Sequence, residues 1–126
     1  MHSRVGLRGF GALTGALGVA LAAYGSHGLK DVASEAEMRL WGIACVIQLL
    51  TAPVVLLVAV HPGEFKRTSG WLLLAGVLLF CGSLYAMALG GPRFLGAVAP
   101  LGGLSLILGW ATMGLGSGER GGSSRG

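Results

Sequence analysis

The sequence predicts an all-α protein, a four-helix transmembrane bundle, and three observations carry that expectation. Residues 71–89 (WLLLAGVLLFCGSLYAMAL) run without a charge. As a helix at 1.5 Å per residue they extend roughly 28 Å, close to the ~30 Å hydrocarbon core of a bilayer. Three other stretches resemble this one, and a chain of 126 residues is too short to bury four such helices against each other in water. Finally, 53% of the residues are hydrophobic and only 11% charged, against about 25% charged in a soluble domain. Mean hydropathy is +0.75. A helix in lipid closes its own backbone hydrogen bonds, so an uncharged span is at home there. One membrane domain is expected over residues 1–116, with helices at about 5–29, 35–60, 70–90 and 95–116. A disordered polar tail is expected at 117–126 (SGERGGSSRG follows Gly116).

The first helix follows a short start carrying Arg4 and Arg8, and runs through GFGALTGALGVALAAY to Leu29. A cleaved signal peptide is the rival reading, with a basic start and Ala20-Leu21-Ala22 as a small-x-small pattern. A retained helix is preferred because the apolar character continues to Leu29. Small residues also recur at helical spacing, Ala12, Ala16 and Ala20 on one face and Gly11 and Gly15 on the next.

The polar loop 30–39 holds three of the five acids. Ser34 followed by Glu37 is a capping box that starts the second helix at Glu35. Trp41 is its interfacial anchor. Pro53 is expected to kink it, and Gln48 and Thr51 share a face that should turn inward, since a glutamine in lipid is costly. His61-Pro62-Gly63 stops that helix, and Thr68 or Ser69 caps the third. The third presents Gly82, Ala86 and Gly90 four apart as a packing face. After a turn at residues 91–94, the fourth carries Pro100 early, where a break of the first turn is expected. Along it, Gly102, Ser105, Gly109, Thr112 and Gly116 form one small-residue face.

Six of the nine Lys and Arg residues (Arg4, Arg8, Lys66, Arg67, Arg120, Arg125) fall on one side of four spans, and Lys30, Arg39 and Arg93 on the other. The more basic side is expected in the cytoplasm, with both termini. The net charge of +4 reads as these helix flanks. Basic residues do not cluster with aromatics, so no nucleic-acid partner is expected. The expected partners are membrane lipids, with other membrane proteins or a second copy left open.

Four polar groups are candidates to meet in a shallow pocket near the outer surface: His27, Gln48, Ser83 and Tyr85. A histidine there can move protons or bind a ligand. The plainer reading, which is preferred, makes His27 interfacial and the others interhelical hydrogen-bonding groups. No acid lies within a buried span, and His2 and His61 lie too far from His27 for a metal set. Cys45 and Cys81 read as small apolar residues, without pairing or metal spacing. Hence neither a metal nor a cofactor is expected.

Four pieces in order carry a family resemblance: residues 25–29 (GSHGL), 80–85 (FCGSLY), 100–103 (PLGG) and 109–110 (GW). The chain resembles the small membrane proteins grouped as domain of unknown function 423, which include the bacterial YgdD type and the eukaryotic transmembrane protein 256. The resemblance covers about residues 10–115. It implies a four-helix integral membrane protein, in bacteria of the inner membrane, without an established biochemical role. One departure stands out. Family members usually carry Tyr-Gln-x-x-His in the second helix, and here the stretch reads Ile47-Gln48-Leu49-Leu50-Thr51. A site built on two histidines, whether for a metal or for haem, is therefore excluded in this chain. Cys81 stands where serine is commoner. The reading is a small accessory or structural membrane protein that binds lipid or a partner, without enzymatic activity. The alternative is an oligomeric transporter or channel subunit for a small solute. A membrane enzyme using the outer polar cluster comes third.

Overall fold

The computed structural model describes residues 2–116, with side chains from residue 5. The expected tail at 117–126 lies outside the described residues. Four helices are long and apolar enough to cross a membrane, and the described residues contain no strand. They are α1 (His2–His27), α2 (Glu35–Val60), α3 (Arg67–Ala88) and α4 (Leu95–Leu115).

α2 starts where its capping box requires. The Glu37 N–H donates to Ser34 Oγ at 3.1 Å, and the Ser34 N–H donates to Glu37 Oε1 at 2.8 Å. The helix runs on through Pro53. α4 likewise runs through Pro100 without a break; only the N–H that would reach the Gly96 carbonyl is missing. α3 begins at Arg67, earlier than expected. Its N-cap is Lys66, with no side-chain cap bond. Ser69 does not cap: it is fully buried, and its hydroxyl meets Thr112 Oγ1 on α4 at 2.7 Å.

Midway, α3 departs from regular geometry. Val77–Cys81 form a π-helical segment between Arg67–Gly76 and Gly82–Ala88. Such wide turns are rare and concentrate at functional sites. Tertiary contacts bracket this one. On one side Gly102 of α4 lies so close that a Cβ there would sit 2.8 Å from Phe80 Cα. On the other, the Cys81 thiol donates to the Ala44 carbonyl of α2 at 3.3 Å. The end of α3 is a Schellman motif. The Gly91 N–H donates to the Ala86 carbonyl at 2.8 Å and the Gly90 N–H to that of Met87 at 3.0 Å, with Gly90 at φ +91°. Gly90 thus serves the turn, not a packing face.

α1 packs along α2, α4 along α3, and α2 against α3, whereas α1 meets α3 much more sparsely. Both tight contacts are made by small residues. Gly18 of α1 faces Leu49, and Gly25 faces the Trp41 ring. Gly76 and Gly109 press against Leu106 and Leu73. The alanines Ala12, Ala16 and Ala20 are exposed, so the glycine face of α1 makes the contact. The core between these pairs holds Leu7, Ala44, Val55, Val58, Leu73 and Cys81. Aromatic contacts mark the two ends. Phe10 meets Trp71 edge-on at 6.0 Å, and at the other end Trp41 lies edge-on to Tyr24 at 5.6 Å and to Tyr85 at 4.7 Å.

Candidate functional site: a cleft between α1 and α3

α1 and α3 touch near one end, where Leu7 presses on Gly70. Beyond that point large side chains face each other: Leu13 and Leu17 from α1, Leu74 and Leu78 from α3. They hold the helices apart around a cleft of about 530 Å³, within the range usual for small-molecule sites. Leu13, Leu17 and Leu78 are exposed at its rim, so it opens on the outside of the bundle. Phe10 and Trp71 line one end, and Tyr85 also lines it. Four residues of the π segment and its flank, Val77, Leu78, Cys81 and Gly82, contribute to its wall.

Of the polar side chains that line it, Thr14, Gln48 and Tyr85, the most buried is Gln48, from the middle of α2. The side chain is 4% exposed. Its Nε2 donates to the Thr14 carbonyl of α1 at 2.8 Å, and its Oε1 accepts from the Tyr85 hydroxyl of α3 at 2.6 Å. One amide therefore ties three helices together. The Tyr85 hydroxyl also approaches Cys45 Sγ at 3.7 Å. Trp41 Nε1 donates to the Leu21 carbonyl at 2.8 Å and so fixes α1 to α2 nearer the other end.

Of the four polar residues singled out from sequence, the structure brings together Gln48 and Tyr85. His27 is exposed at the end of α1 and does not line the cleft. Ser83 is buried, but its hydroxyl donates to the Leu79 carbonyl of its own helix, the usual i−4 bond of a serine in mid-helix, and it turns away from the cleft. The packing residues divide in the same way. Gly102, Ser105 and Gly109 face α3, Ser105 through a 2.7 Å bond from its hydroxyl to the Leu72 carbonyl. Gly82 differs: a Cβ there meets nothing within 4 Å, because the residue lines the cleft. Ala86 is half-buried, and its carbonyl is used by the turn at Gly91. The Thr14 carbonyl and Cys45 were missed. A backbone acceptor leaves no mark in sequence, and a cysteine within an apolar run reads as packing. Among the described residues no group of three His, Cys, Asp or Glu side chains gathers at one point.

Residues 21–103, from the end of α1 to the early part of α4, match the family model described as protein of unknown function (DUF423). The chain is 37% identical over 106 residues to a UPF0382 membrane protein of Staphylococcus epidermidis, an alignment that covers 82% of this chain and 87% of the relative. A UPF0382 membrane protein of Schizosaccharomyces pombe is 41% identical over 109 residues, 81% of this chain and 92% of its own. The UPF0382 membrane protein YwdK of Bacillus subtilis is 33% identical over 105 residues, 79% and 85% of the two chains. No solved structure matches the chain. With four apolar helices on the page and both the family model and these relatives covering most of its length, the chain belongs to the DUF423 family of membrane proteins.

Proposed function

We propose that this protein is an accessory protein that holds a membrane lipid in the cleft between α1 and α3 and carries out no reaction of its own. The cleft itself carries the reading: about 530 Å³, apolar walls, an opening on the outside of the bundle and one buried amide at its back. An apolar cleft suits holding a ligand rather than conducting a polar solute, which keeps the oligomeric transporter or channel subunit second. The test is native mass spectrometry of protein released from membranes in mild detergent, set beside Gly82→Leu. That leucine has open space at its Cβ and projects from the cleft wall, narrowing the cleft. The wild type is expected to carry an apolar molecule that the variant lacks. Equal occupancy in the two, or none in the wild type, refutes the proposal.

The location proposed with it is the inner membrane of a bacterium, with both termini in the cytoplasm. The support is the excess of Lys and Arg at the termini and at Lys66 and Arg67 between the second and third helices. Cys45 and Cys81 are buried, so cysteines placed at Gly63 and Val32 report on the two sides. An impermeant maleimide should label Val32→Cys in intact cells and Gly63→Cys only after lysis. The reverse pattern overturns the orientation.

A further inference from the structure

We infer that the molecule held in the cleft is a prenyl quinone, with one ring carbonyl accepting a hydrogen bond from Gln48. The inference rests on the lipid-binding reading and sharpens it. Gln48 Nε2 carries two protons. One goes to the Thr14 carbonyl, and among the described residues the other has no acceptor. The amide Oε1 is already engaged by Tyr85. What the back of the cleft lacks is therefore an acceptor.

Charge and depth then narrow the ligand. No Asp, Glu, Lys, Arg or His lines the cleft, so a carboxylate or phosphate there would be buried without a counter-charge, at a cost of several kcal/mol or more. The acceptor is neutral. Gln48 lies about 20 Å from one end of α2 and about 18 Å from the other at 1.5 Å per residue, which puts it near the bilayer midplane. A glycerolipid ester cannot reach that depth without dragging its headgroup into hydrocarbon. A quinone has no such headgroup: its carbonyls are neutral, its ring is flat and its tail is apolar. The cleft extends about 16 Å along α1 between Phe10 and Leu21, and Trp71 and Tyr85 supply ring surfaces. The π segment of α3 adds a second, independent mark, since the wide turn falls on the cleft wall at Val77 and Cys81.

The probe is ubiquinone with two isoprene units, carbon-13 labelled at one ring carbonyl. It is added to the full chain in phosphatidylcholine nanodiscs and read by isotope-edited infrared spectroscopy and native mass spectrometry. One quinone per protomer is expected, with a carbonyl stretch lowered relative to empty nanodiscs. Gln48→Leu should remove that shift and weaken retention about tenfold, the loss of one buried hydrogen bond. Far-UV circular dichroism reports whether that variant folds. If it does not, Gly82→Leu, which leaves Gln48 in place, should abolish retention by narrowing the cleft. A bound quinone with an unshifted carbonyl overturns the inference. So does a cleft that retains native glycerolipid, displaced by Gly82→Leu, while refusing quinone; that result keeps the lipid-binding reading. A cleft that retains neither overturns both.

Discussion

Gly102→Ala should loosen the contact between α3 and α4, while Gly103→Ala, one residue on, should not. An alanine Cβ at 102 would lie 2.8 Å from Phe80 Cα, 2.9 Å from the Leu79 carbonyl carbon and closer still to Phe80 N. All three are backbone atoms, so no rotamer change relieves them. Ordinary carbon contacts lie at about 3.5–4.0 Å, which requires the two helices to part by roughly 1 Å, and a gap of that size forfeits up to about half of each neighbouring dispersion contact. The Ser105 bond to Leu72 and the Ser69 bond to Thr112, both at 2.7 Å, lie along the same contact and would stretch with it. Overpacking of this kind costs about 1–3 kcal/mol, and alanine returns about 1 kcal/mol of helix propensity. At 103 the nearest atom to a Cβ is Phe80 Cδ1 at 3.8 Å, an ordinary contact. Propensity is common to both variants, so their difference isolates the clash. It should be about 2 kcal/mol, roughly a thirtyfold shift in the folding equilibrium. Reversible unfolding by sodium dodecyl sulfate in mixed micelles, followed by circular dichroism, measures it. Equal unfolding curves for the two variants would refute the close approach of α4 to the π segment.

Three further outcomes follow from the same geometry. Ser34→Ala should cost about 1 kcal/mol by removing the capping box of α2, and Ser34→Asn should recover most of it in the same unfolding assay. Trp41→Phe keeps a ring between Tyr24 and Tyr85 but loses the bond to the Leu21 carbonyl, so it should cost about 1 kcal/mol. A double-mutant cycle of Ser69→Ala with Thr112→Val should return a coupling of about 0.6 kcal/mol, and additive losses would mean that the two hydroxyls do not bond across α3 and α4.

The fold was readable in sequence because lipid imposes a length and a composition on each span, and because local chemistry marks some ends without ambiguity. Ser34 and Glu37 put the start of α2 at Glu35 from four residues alone. Where an end depends on a distant partner, sequence misled. Ser69 looks like a cap but is claimed by Thr112, forty-three positions away. The π segment had no local signature, since Val77–Cys81 read as ordinary apolar helix and the contacts that bracket them come from Ala44 and Gly102. The candidate site was half legible. A glutamine within an apolar span had to find partners inside the bundle, and it did. His27 and Ser83 shared its end of the molecule in sequence, but a histidine at a helix end can stay in the interface, and a serine can bond its own helix.

The cleft is a consequence of where the small residues are. Glycines on α1 draw it against α2, and glycines on α3 and α4 draw those two together. On the third contact, between α1 and α3, Gly70 allows a close approach at one end only, and leucines occupy both sides beyond it. Bulky side chains facing each other across two helices already anchored elsewhere leave a gap that neither helix is free to close. In water the hydrophobic effect would press such a gap shut. In a bilayer it does not, because lipid tails are as apolar as the leucines and association rests on packing and hydrogen bonds. The cleft therefore persists wherever the packing leaves it, filled by whatever the membrane offers. Gln48 makes that occupant a matter of chemistry, since a buried amide with a proton to spare favours the apolar molecule that brings an acceptor.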